Sequence, residues 1–152
     1  QATLAFNVGG LLGSILTAPI ARRFGRRGAF AGYFTVAGLA LLVMFGLPLD
    51  PLVALRTSFF VGLAAYGVFA VFAFYLPELF PRRLRATGGG FTYNFGRVFA
   101  AGGPFLVGWV AMQGANATAI AMQLLFYVGF VPLAALAIVP FIPEARGRRL
   151  DT

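Results

Sequence analysis

Long apolar runs alternate with short clusters of arginine along the whole chain. Five runs stand out, at about residues 3–20 (TLAFNVGGLLGSILTAPI), 28–47, 52–76, 89–112 and 117–141, followed by a charged tail at 142–152. Each approaches or exceeds the roughly 20 residues a helix needs to cross a hydrocarbon core about 30 Å thick, at 1.5 Å per residue. Only helices and closed barrels satisfy their backbone in lipid. Barrel strands would be about ten residues long with alternating polarity. These runs are longer and do not alternate. The pattern predicts an all-α membrane protein of five transmembrane helices.

Glycine and proline are frequent inside the runs. In water each would weaken a helix. In a membrane bundle, glycine lets two backbones approach, and proline is tolerated where neighbours satisfy the freed carbonyl. Gly9 and Gly13 lie one turn apart on a small-residue face of the first span. Gly62, Ala64 and Gly67 in the third span, and Gly102, Gly103 and Gly108 in the fourth, are expected to pack helices in the same way.

The connectors fix an orientation. ARRFGRRG after the first span carries Arg22, Arg23, Arg26 and Arg27. PELFPRRLRATG after the third carries Arg82, Arg83 and Arg85, and the tail carries Arg146, Arg148 and Arg149. The connectors after the second and fourth spans, PLDP and QGANA, have no basic residue. Basic and non-basic connectors alternate, and basic ones stay in the cytoplasm. The C-terminus is therefore expected inside and Gln1 outside. An outside start with no signal peptide implies a missing upstream helix.

Composition narrows the chemistry. The 152 residues are 60% hydrophobic and 11% charged, with a net charge of +8 carried by 12 arginines. A soluble domain has about twice that charged fraction. Arginines gathered mainly in short clusters between membrane-length runs speak against a nucleic-acid partner. Without cysteine or histidine, the usual thiol chemistry, metal ligands and neutral-pH general base are missing. GGG at 88–90 has no lysine after it and opens a span, so it is no phosphate loop. The four acids, Asp50, Glu78, Glu144 and Asp151, all lie in connectors or the tail. No enzyme activity, cofactor or metal is expected.

What remains is polar groups inside or beside the spans. Arg97 lies about two turns into the fourth span, with Asn94 one turn away on the same face. A charge at that depth costs at least about 2.5 kcal/mol and usually faces a partner or a water-filled cavity; snorkelling to the interface is the alternative. Asn7, Tyr66 and Gln123 are further cavity candidates, each also able to serve as a helix–helix hydrogen bond. Glu78 is the only acid near the seven arginines of two basic connectors. A positive-inside anchor explains those arginines but not the acid among them.

Four segments carry a resemblance. ARRFGRR is similar to the loop signature of the major facilitator superfamily, G-x-x-x-D-R-x-G-R-R, with Ala18 at its first glycine and Arg22 at its aspartate. PELFPRRLRATGGG resembles the proline–glutamate–arginine motif that ends the tenth helix in the sugar-porter and metabolite–proton symporter branches. YNFGR resembles the start of the eleventh helix, and PEARGRRL the ending after the twelfth. The resemblance implies helices eight to twelve of a twelve-helix secondary transporter in the plasma (inner) membrane. Its partners would be a small organic solute, the lipid bilayer and a missing N-terminal half. Alternating access would follow, with Glu78 paired to Arg23, Arg26 or Arg85 when the cytoplasmic ends close. Arg27 would belong to the same inner gate, with Glu144 acting from the tail. The solute would be a carboxylate or a sugar, and ATGGGFTYNFGR resembles the acid-transporting branches more than the hexose ones. Arg97 would meet an anionic solute group or join the Glu78 cluster, and its inner-half position favours the cluster. Any proton coupling would use an acid of the missing half. A non-transporting scaffold or truncated remnant is the alternative to a transporter fragment.

Overall fold

Arginine and alanine are good helix formers, and the basic cluster after the first apolar run is helical on both sides of a single break at Gly25. In the computed structural model, which describes residues 1–113 and 116–143, α1 runs Ala2–Gly46. Its dihedrals leave the helical region inside at Gly25, with φ 79° and ψ 175°. That region is open essentially to glycine alone. The chain folds back there. The Thr17 and Tyr33 hydroxyls lie 3.0 Å apart, whereas a straight helix would hold residues so spaced about 24 Å apart. α1 is thus two antiparallel arms, residues 2–24 and 26–46.

Pro51 opens α2 (Pro51–Glu78) at the position where its missing N–H costs nothing. α3 runs Arg85–Met112. The Asn116 side chain accepts a hydrogen bond from the Ala119 N–H at 3.2 Å and caps α4 (Ala117–Val128). After Gly129 the helix continues as α5 (Phe130–Ala135) and ends in a 3-10 turn, Val139–Phe141. Pro132 and Pro140 cannot donate to the carbonyls of residues 128 and 136. The backbone tightens between them, with Leu136, Ala137 and Ile138 each donating to the carbonyl three residues back.

All regular structure among the described residues is helical, and four segments are long and apolar enough to cross a membrane: Ala2–Gly46, Pro51–Glu78, Arg85–Met112 and Ala117–Phe141. The core lies where both arms of α1 meet α2. A Cβ at Gly9 would land on the Phe59 carbonyl, one at Gly13 on that of Leu63, and one at Gly62 on that of Phe6. Backbone therefore touches backbone along this crossing. Phe30 of the second arm, 1% exposed, packs its ring 4.8 Å from Phe72 and 5.7 Å from Tyr75 of α2.

α3 is packed differently. Only Gly89 and Ala111 of it are buried. The expectation that Gly102, Gly103 and Gly108 pack a neighbour is not met among the described residues, for a Cβ at any of them would find nothing within 4 Å. Gly89 does pack, against Pro77 at the end of α2.

Candidate functional site

Two places gather the polar groups. The first is the arginine-rich end of the bundle. The turn at Gly25 places Arg26 at the end of α2, where Glu78 closes the helix. Arg26 grips Glu78 with both sides of its fork: Nη2 lies 2.6 Å from Oε1 and Nε 3.1 Å from Oε2. The side chains are 23% and 26% exposed, so the pair is mostly withdrawn from solvent. Bidentate, charge-assisted geometry of this kind is the strong form of an ion pair. The next residue, Arg27, reaches the other way and donates from Nε to the Ile142 carbonyl at 2.7 Å. Two consecutive arginines thus hold two different segments, α2 and the chain beyond the 3-10 turn.

Neither Arg23 nor Arg85 pairs with Glu78 among the described residues. Arg23 lies over the ring of its neighbour Phe24, 5.5 Å from the centroid. Arg85 has a buried Nε with no hydrogen-bond partner. Glu144 lies outside the described residues. A cavity of about 270 Å³ opens beside the Arg26–Glu78 pair, walled by Ala18, Ala21, Val71 and Phe74 and flanked by Arg22.

The second place is between α2 and α3. A cavity of about 260 Å³ is walled by Phe69, Phe72 and Leu76 from α2 and by Thr92, Tyr93 and Arg97 from α3. The Arg97 guanidinium lies 5.7 Å from the centre of the Tyr93 ring. It has no carboxylate partner among the described residues. It makes no ion pair with Glu78 and lines this cavity. Of the cavity candidates Asn7, Tyr66, Asn94, Arg97 and Gln123, only Arg97 lines it. The Asn94 amide donates to the Gly90 carbonyl of its own helix at 2.8 Å. Tyr66 packs edge-on against Phe6, next to exposed Asn7.

A third polar group escaped the sequence. Thr17 is fully buried and Tyr33 is 4% exposed. Both hydroxyls lie within reach of the Gly13 carbonyl, at 2.7 and 2.8 Å, and the Thr17 hydroxyl lies 3.4 Å from the Gly67 carbonyl. The node ties both arms of α1 to α2. Its signal in the sequence is two hydroxyl residues equally far along the chain from Gly25.

Comparison with known proteins gives relatives over nearly the full chain. The chain is 30% identical, over 97% of its length, to a Haemophilus influenzae protein provisionally named a metabolite transport protein. It is 32% identical over 94% of its length to a Cupriavidus pinatubonensis protein provisionally named a 4-methylmuconolactone transporter. It is 33% identical over 90% of its length to human solute carrier family 22 member 11. The chain belongs to the major facilitator superfamily. It spans 35%, 32% and 24% of those three relatives, so it corresponds to a part of such a transporter. No family model matches the chain, and no solved structure matches it. As a major facilitator superfamily chain with four long apolar helical segments, it is an integral membrane protein, and its relatives are named for transport or as solute carriers, not as enzymes.

Proposed function

We propose that the chain is the C-terminal part of a secondary transporter that moves an aromatic or unsaturated carboxylate by alternating access. The observation that carries this reading is Arg97, a guanidinium without an acid partner among the described residues, at a cavity walled by Phe69, Phe72 and Tyr93. A planar fork suits a carboxylate, and aromatic walls suit a flat, conjugated body. The names of other relatives support the class: one is a cis,cis-muconate transport protein, one a gentisate transporter and one a benzoate transport protein. A sugar would find few hydroxyl partners there.

Counting the two arms of α1 separately gives five crossings, read as helices eight to twelve of a twelve-helix bundle in the plasma (inner) membrane. The basic connectors then face the cytoplasm. The Arg26–Glu78 pair is the inner latch, formed when the cytoplasmic ends close and broken when they part. Coupling to protons, if used, rests on acids outside this chain, since none of its own lies in mid-membrane.

Uptake by the native-length protein tests the binding role of Arg97. Arg97→Lys keeps the charge and loses the fork. Uptake measured for benzoate, muconate and gentisate is expected to change in rank order as well as in rate. A uniform loss across all three would make Arg97 a structural residue and remove the basis for the carboxylate reading.

A further inference from the structure

The cavity beside the Arg26–Glu78 pair has two kinds of wall. Ala18, Ala21, Val71 and Phe74 are apolar, and Phe74 is 49% exposed among the described residues. Arg22 and Arg26 are cationic, and Glu78 is the acid among them. Glu78 is already engaged by Arg26. Arg22 makes no hydrogen bond or ion pair among the described residues, so the described lining of the cavity carries one positive charge beyond the Arg26–Glu78 pair. Arg22 also stands just past the first apolar run, beside the turn at Gly25.

The two walls together select an amphiphile. A soluble anion would satisfy Arg22 and leave the apolar wall bare. A neutral lipid would cover the wall and leave the charge. Basic pockets between spans, at the end of the membrane carrying the positive connectors, suit anionic headgroups.

We propose that this cavity seats an anionic phospholipid. Its phosphodiester meets Arg22, and an acyl chain lies along Val71 and Phe74. The seated phosphodiester stands beside Arg26 and competes with Glu78 for it, so that anionic lipid loosens the Arg26–Glu78 pair. This last step rests on the latch reading above; occupancy of the cavity does not.

Occupancy is measured by native mass spectrometry of the native-length protein from nanodiscs of phosphatidylcholine with or without phosphatidylglycerol. Bound phosphatidylglycerol is expected to fall several-fold in Arg22→Gln and to be unchanged in Arg83→Gln, which removes the same charge from an exposed site outside the cavity. Equal losses in both variants would mean diffuse surface charge and would overturn the site. Displacement of the lipid by inorganic phosphate would also overturn it, because the occupant would then be a soluble anion. The loosening is read separately, from spin labels at positions 23 and 79. Phosphatidylglycerol is expected to add a longer-distance population that Arg22→Gln abolishes. An unchanged distance with lipid bound would overturn the loosening. Binding and loosening without any carboxylate uptake would count against the transport reading alone.

Discussion

A single methyl group at Gly13 tests whether backbone contact holds the core. A Cβ there would sit 2.8 Å from the Leu63 carbonyl carbon and 3.0 Å from its Cα, and closer still to the oxygen, whereas ordinary contact begins near 3.4 Å. The neighbouring atoms are backbone, so no side chain can rotate away. The first arm and α2 must part by roughly 1 Å, a form of overpacking that costs about 1–3 kcal/mol. Parting also lengthens the Thr17–Gly67 approach, already 3.4 Å, beyond useful reach. The intrinsic preference of alanine over glycine in a helix returns up to about 1 kcal/mol. The net expectation is a loss of about 1–2 kcal/mol. Gly32→Ala is the control, since a Cβ there meets nothing within 4 Å; only the propensity term acts, and stability is unchanged or rises by up to about 1 kcal/mol. The assay is reversible unfolding of the native-length protein in mixed micelles titrated with sodium dodecyl sulfate. Equal stability of the two variants would refute the reasoning, because it would mean that the crossing has slack.

Other predictions follow from the same geometry. Glu78→Gln removes the ionic part of a mostly buried bidentate pair, worth about 1 kcal/mol or more; the inward-open fraction, read by distance measurements across the arginine-rich end, should rise about fivefold, and an unchanged balance with unchanged transport would sink the latch. Gly25→Ala forces a side chain into a region open essentially to glycine, at a cost of about 1–3 kcal/mol, and should lower the yield of folded protein on size-exclusion chromatography, where a wild-type profile would contradict the turn. Tyr33→Phe should be milder, about 1 kcal/mol in the unfolding titration, because Thr17 still reaches the Gly13 carbonyl at 2.7 Å.

The helical character of the chain was legible because run length and the absence of alternation leave few other forms in lipid. The close crossing was half legible. Gly9, Gly13 and Gly62 meet backbone as their spacing suggests, but Gly102, Gly103 and Gly108 share the same signature and face open space. Small residues permit an approach without naming the neighbour. The first two spans, expected at about 3–20 and 28–47, correspond to the two arms of α1, which run a few residues further toward Gly25 for a physical reason. Hydropathy stops at Arg22, and the backbone does not, since arginine costs nothing in helical geometry; only Gly25 departs from it. The partner of Glu78 fell within the expected set. The place of Arg97 did not follow from its depth, which constrains how far it lies from the interface but not which way it points. Thr17 and Tyr33 looked like ordinary residues in apolar runs until the fold-back put them face to face.

The turn at Gly25 has a further consequence for how much change the sequence can absorb. Most connectors can gain or lose a residue because slack elsewhere takes up the difference. Here one residue is the whole connector. Adding a residue to either arm between Thr17 and Tyr33 would turn one hydroxyl about 100° around its helix and lift it away from the other. Chain length in this stretch is therefore fixed by the pairing at its middle, and substitutions should be far better tolerated there than insertions or deletions.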